Sequence, residues 1–149
     1  MQPAGPMRLA LEEAAAAASR GEVPVGAVLV DRQGRVLAAA GNRVEAERDP
    51  TAHAEMLVLR AGAARAGAPR LVECDLYVTL EPCAMCAAAI GLARLRRLYF
   101  AAYDPKGGAV EHGPRIFAQP TTHHRPEIYG GIEEQCAAQL LRAFFQRHR

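Results

Sequence analysis

The spacing of apolar positions changes several times along the chain, and each change marks an element. Over residues 7–20 apolar side chains recur at helical spacing, and Gly21 and Pro24 then stop the helix. Residues 25–31 form a short β-branched run, and residues 35–40 follow it across Arg32-Gln33-Gly34, the pattern of a hairpin. A polar loop is expected over 41–50. Thr51 is placed to cap a helix over 52–66, with Glu55 in its first turn and Gly67 and Pro69 at its end. Residues 76–80 read as a buried strand, Glu81-Pro82 as a turn and 83–93 as a helix. A strand over 97–101 precedes a loop over 103–114, rich in glycine and proline, and 115–124 fits neither period. Residues 125–129 are a candidate last strand. A last helix is expected over 132–147, with Leu140, Leu141, Phe144 and Phe145 on its apolar side. Residues 1–6, with two prolines and a glycine, are expected to be disordered.

The order is helix, hairpin, then strands alternating with helices. It predicts an α/β fold in three layers, α/β/α, around a central mixed five-stranded sheet. The length of 149 residues suits a single domain over 1–149. Half of the residues are hydrophobic and 23% are charged, as in ordinary soluble proteins. No apolar run is long enough to span a bilayer, so no membrane partner is expected. No secretion signal is recognisable at the N-terminus, so the expected location is cytoplasmic. The net charge of +2 neither requires nor excludes nucleic acid. Lys106 is the only lysine, and all other basic residues apart from histidine are arginine.

Four cysteines occur, at 74, 83, 86 and 136, and without an export signal disulfides are not expected. Cys83 and Cys86 have Cys-x-x-Cys spacing, three apart on one helix, and so project from the same face. Two clusters stand out: Pro50-Thr51-Ala52-His53-Ala54-Glu55 and Thr79-Leu80-Glu81-Pro82-Cys83-Ala84-Met85-Cys86. Each opens a helix, where free N–H groups and the helix dipole favour thiolates. One imidazole and two thiolates make three ligands, which leaves a tetrahedral zinc one position for water, the mark of a catalytic site. Glu55 is too close to His53 to be a comfortable fourth ligand, but it is well placed to move protons beside that water. A redox pair would have no use for His53 or Glu55, and a structural zinc site would need a fourth ligand that is not obvious. A non-catalytic, zinc-stabilised RNA-binding module would have no use for Glu55. Cys74 and Cys136 read as semi-buried thiols outside the cluster, Cys74 pointing away from it.

His-x-Glu followed by Pro-Cys-x-x-Cys is the signature of the zinc-dependent base deaminases, complete here in His53, Glu55, Pro82, Cys83 and Cys86. Around it the chain resembles the bacterial tRNA-specific adenosine deaminases over about residues 7–145. The telling stretches are Glu22-Val23-Pro24-Val25-Gly26-Ala27-Val28, Asn42-Arg43, Asp49 to Glu55, Tyr77 to Cys83, and Asp104-Pro105-Lys106-Gly107-Gly108. The resemblance implies the cytidine-deaminase-like fold, one zinc ion per subunit, a homodimer, and a tRNA anticodon stem-loop as substrate. The wobble adenosine is converted to inosine with release of ammonia. It implies that Asn42 and the Ala54 N–H face the extruded base. Asp104, Lys106, His124, Arg125 and Phe145 border the RNA by the same resemblance. The segment 111–115, His123 and the C-terminus at Arg149 depart from the family pattern, leaving Arg142, Arg147 and Arg149 as candidate phosphate contacts. Ala87, Ala88 and Ala89 make the helix that begins at Cys83 a candidate dimer face. The alternative substrate is a free base, guanine or cytosine, deaminated by the same chemistry.

Overall fold

Alternate residues of the central strands are claimed by two different helical layers. In the computed structural model, which describes residues 5–148, Val28 and Val30 pack with Met7 and Ala10, while their neighbours Ala27 and Leu29 pack with Val58 and Leu59. That two-residue alternation is what a strand buried on both faces requires. The elements are α1 (Pro6–Ser19), β1 (Gly26–Val30), β2 (Val36–Gly41), α2 (Val44–Glu47), α3 (Ala54–Ala66) and β3 (Asp75–Leu80). They continue with α4 (Ala84–Leu92), β4 (Arg97–Ala102), a 3-10 turn (Ile116–Ala118), β5 (Glu127–Gly130) and α5 (Glu134–Arg147).

The five strands run in the order β2-β1-β3-β4-β5. β1 is antiparallel to both β2 and β3, whereas β3, β4 and β5 are mutually parallel, so the sheet is mixed as expected. Helices α1 and α5 cover one face, and α3 and α4 cover the other. On the α1–α5 face, Tyr77, Tyr99 and Tyr129 stand in register on β3, β4 and β5. Their rings stack in a row, with centroids 4.3 Å and then 5.0 Å apart. Among the described residues no helix is long and apolar enough to cross a membrane.

Several boundaries differ from the sequence expectation, each for a physical reason. α1 starts at Pro6, so Gly5 and Pro6 are ordered; proline is well suited to a first helical turn, where no N–H partner is needed. Residues 1–4 of the expected disordered segment, like Arg149, lie outside the described residues. The expected polar loop 41–50 contains α2, whose Glu45 and Ala46 N–H groups are accepted by the Glu22 carboxylate at 3.1 and 2.8 Å. Thr51 does not cap α3. Its N–H and hydroxyl both go to Asp49 Oδ1, at 2.8 and 2.7 Å, and the helix opens only after His53. The segment 115–124 is a 3-10 turn and loop pinned by side chains: His124 Nε2 lies 2.6 Å from the Leu95 carbonyl, and the Arg125 guanidinium donates to the carbonyls of Phe117 and Gln119.

Candidate active site

Two helices point their N-termini at one spot. His53 is the N-cap residue of α3 and Cys83 that of α4, and both have extended backbone (φ −73°, ψ 150° and φ −72°, ψ 176°). Neither side chain turns back to cap its own helix, so both are free to ligate. Cys86 follows one turn into α4 and is buried. His53, Cys83 and Cys86 are the candidate metal-holding group among the described residues. His53 Nδ1 lies 3.7 Å from Cys83 Sγ and 3.5 Å from Cys86 Sγ. A tetrahedral zinc with bonds of about 2.3 Å to sulfur and about 2.05 Å to nitrogen would hold such atoms about 3.6 Å apart. The donor set therefore fits the ion in both chemistry and spacing. Cys74 is buried in the core and is not part of the group, while Cys136, expected to be semi-buried, is exposed.

The electrostatics of the cluster are asymmetric. The hydrogen bond with Cys86, then that with His53, holds the Cys83 thiol down at about 4, so it is a thiolate at neutral pH. The hydrogen bond with Cys83, together with burial, pushes Cys86 far up. His53 is raised, chiefly by its bond with Cys83. In the first turn of α3, Glu55 is buried at 4% exposure, and burial pushes its carboxyl up to about 7. A carboxyl in that range can both accept and return a proton near neutrality.

These groups open into a cavity of about 640 Å³, whose walls include Asn42, Glu55, Asp104 and Phe144. Asn42 Oδ1 accepts the Ala54 N–H at 2.8 Å, so this amide supplies the helix start that Thr51 does not. The Ala54 N–H is therefore bonded to Asn42 inside the protein. Lys106 is exposed beside the cavity, its N–H on Asp104 Oδ1 at 3.2 Å. His124 and Arg125 are not brought to this cavity; they pin the 116–119 segment against the α4 side. Of the aromatic pair on α5, Phe144 lies in the cavity wall. Phe145 packs edge-on against it (centroids 5.4 Å apart) and is exposed.

Two wall residues carry roles that the motif reading did not assign. Glu22 and Glu81 are both buried, at 2% exposure each; Glu22 receives N–H groups from α2, and Glu81 receives them from the loop after β4. For Glu81 the available signal was an acidic residue closing an apolar run, Thr79-Leu80-Glu81, with no lysine or arginine nearby to explain it; Glu22 follows Arg20-Gly21 and carries no such signal.

Comparison with known proteins agrees with this geometry. Residues 4–102 match the family model described as the cytidine and deoxycytidylate deaminase zinc-binding region. A tRNA-specific adenosine deaminase of Agrobacterium fabrum is 57% identical over 143 residues, covering 96% of this chain and 93% of the relative. A solved structure from a study of A-to-I editing by tRNA A34 deaminases at the wobble position superposes with a TM-score of 0.89 at 57% identity, covering 91% of this chain and 98% of that one. A guanine deaminase of Nitrosomonas europaea superposes with a TM-score of 0.78 at 26% identity, covering 96% of this chain and 84% of that one. With the ligand tripod, the buried glutamate and these matches all in agreement, the chain belongs to the cytidine and deoxycytidylate deaminase zinc-binding family.

Proposed function

We propose that this chain is a tRNA adenosine deaminase that hydrolyses the wobble adenosine of an anticodon to inosine and ammonia. The observation that carries the reading is a buried, proton-exchanging Glu55 beside a three-ligand group, in a chain 57% identical to a tRNA-specific adenosine deaminase over almost its whole length. His53, Cys83 and Cys86 would hold one zinc ion per subunit, which when bound supplies the Lewis acidity that makes water a nucleophile near neutral pH. Glu55 takes the proton from the attacking water and delivers it to a ring nitrogen of the base. A second transfer through the same carboxyl protonates the departing amine, so that water and adenosine give inosine and ammonia. Burial keeps competing water from the carboxyl, and the open side of the cavity admits a base extruded from its loop. Asn42, with the helix start at Ala54, orients that base, and Asp104 and Lys106 flank the RNA backbone. Lys106, Arg142 and Arg147 are exposed and available to phosphates.

A homodimer completes this reading. Gly91 and the exposed Leu92 of α4 meet Phe117 and Thr122 around a shallow cavity of about 280 Å³, an apolar face suited to a second copy. His124 and Arg125, bonded to the Leu95, Phe117 and Gln119 carbonyls, support the same side of the molecule, and in a homodimer they would lie close to the second copy. The absence of a membrane-crossing helix among the described residues and the tRNA substrate both fit a cytoplasmic enzyme.

The test is inosine formation in a synthetic anticodon stem-loop, run beside free adenosine, guanine and cytosine. Conversion of the stem-loop supports the proposal; conversion of a free base alone replaces the substrate. Glu55→Ala should abolish turnover while zinc stays bound, and a fully active variant would refute the proton-transfer role.

A further inference from the structure

The loop from Asp104 to His112 forms one wall of the cavity, and the destination of its backbone N–H groups is unusual. Lys106 and Gly107 donate to Asp104 Oδ1, at 3.2 and 3.0 Å, Gly108 donates to the Asp104 carbonyl at 2.8 Å, and Ala109 donates to the Pro82 carbonyl at 2.8 Å. The remaining four, from Asp104, Val110, Glu111 and His112, all converge on the carboxylate of Glu81, at 3.0, 3.1, 2.8 and 3.1 Å. The His112 ring adds a fifth contact, Nδ1 lying 2.8 Å from Glu81 Oε1. The Glu81 side chain is wholly buried, so this loop supplies the hydrogen bonds that water would otherwise make to the charge.

The fit is close. A Cβ on Gly108 would lie 2.5 Å from the Glu81 carboxyl carbon and 2.5 Å from the Asp104 carbonyl oxygen. Only a residue without a side chain lets the loop wrap the carboxylate this tightly. Asp104 and Gly107, which line the substrate cavity, are held in the same turn.

We propose that Glu81 is a positioning residue for the substrate. Its carboxylate gathers the 104–112 loop and thereby sets the Asp104 wall that receives the RNA. Its carboxylate spends its hydrogen bonds on the loop and not on the ligand group. It acts through the loop, so its loss should weaken substrate capture more than chemistry. This rests on the tRNA reading for its kinetic consequence, but not for its structural one.

The experiment compares zinc-loaded wild-type protein with Glu81→Gln, which keeps the shape but sets an NH2 among N–H donors. Amide hydrogen exchange is followed over residues 104–112, zinc content is measured, and KM and kcat are taken on the stem-loop. The expected result is full zinc, faster exchange at 110–112, and a KM raised about tenfold with kcat within about threefold, as when one hydrogen bond to a charged acceptor is lost at a binding site. His112→Ala removes one of the five contacts and should give a smaller shift in the same direction. Unchanged exchange and KM in Glu81→Gln would overturn the proposal. So would loss of zinc with the loop still protected, which would make Glu81 a support for Cys83 instead. If Glu81→Gln does not fold, Gly108→Ala decides. Its Cβ drives the loop off Glu81 without altering the residues beside the zinc ligands, and wild-type exchange and KM there would refute the role. A stem-loop that wild-type protein does not deaminate would defeat the substrate reading while the exchange result still judges the loop anchor.

Discussion

Replacing Asn42 should separate two jobs that its side chain does at once. The Ala54 N–H can only donate, so the amide must turn Oδ1 toward it, which leaves the NH2 half as the one offered to the cavity. Ala54 is fully buried, so in Asn42→Ala its N–H loses its protein partner. An unsatisfied buried donor costs about 1–3 kcal/mol. For a domain of this size that lowers the melting temperature by about 2–12 °C. Asn42→Asp keeps an acceptor facing Ala54 and adds a negative charge at the start of α3, so its stability should stay within about 0.5 kcal/mol of wild type. Both variants lose the NH2 donor, so both should lose deamination of the stem-loop. Thermal melts of the zinc-loaded proteins by far-ultraviolet circular dichroism, run beside the deamination assay, test the separation. Equal destabilisation of the two variants would show that the Ala54 bond does not hold the helix start. An active Asn42→Asp enzyme would show that the base does not need the donor.

Gly26→Ala should weaken the docking of α1 on β1, because the new Cβ would lie 2.0 Å from the Ala10 carbonyl oxygen and 2.6 Å from the Ala14 nitrogen. A loss of about 1–3 kcal/mol in unfolding free energy is expected, read as a lower urea midpoint, and an unshifted midpoint would refute the close packing. In metal-free protein at pH 6, iodoacetamide should label Cys83 well ahead of Cys74 and Cys86. Cys83 is held as a thiolate with its pKa at about 4, whereas burial raises Cys74, and the Cys83 hydrogen bond with burial raises Cys86. Zinc should protect Cys83, and peptide mass mapping reads both effects. If the proposed homodimer forms through α4, Leu92→Glu should give a monomer in gel filtration where wild type gives a dimer, since it places a charge on the most exposed large apolar side chain of α4.

The candidate ligand group was legible because each of its residues is part of a short motif at a helix start, where identity and spacing lie together in the sequence. The strand and helix alternation was legible for the same reason: period-2 and period-3.6 patterns are local. What the pattern missed depends on partners far along the chain. α2 is only four residues long and is held by Glu22, more than twenty residues earlier. The loop at 104–112 read as glycine-rich and irregular because its organiser, Glu81, sits on another element. Thr51 looked like a cap by type and position, but Asp49 two residues before it offered a nearer partner, and Asn42 took over the helix start. Phe144 and Phe145 differ by one helical step, and the docking of α5 determines which of them faces the cavity.

The row formed by Tyr77, Tyr99 and Tyr129 offers an optical handle on one part of the molecule. The chain contains no tryptophan and only four tyrosines, three of which stack across β3, β4 and β5. Rings held face to face at 4.3 Å couple their electronic transitions, and they do so only when those three strands are in register. The near-ultraviolet dichroism of this protein therefore reports chiefly on the parallel half of the sheet. The β1–β2 hairpin contributes no tyrosine, so its separation would leave that signal standing, and a stopped-flow trace at this wavelength would time the joining of the parallel strands alone.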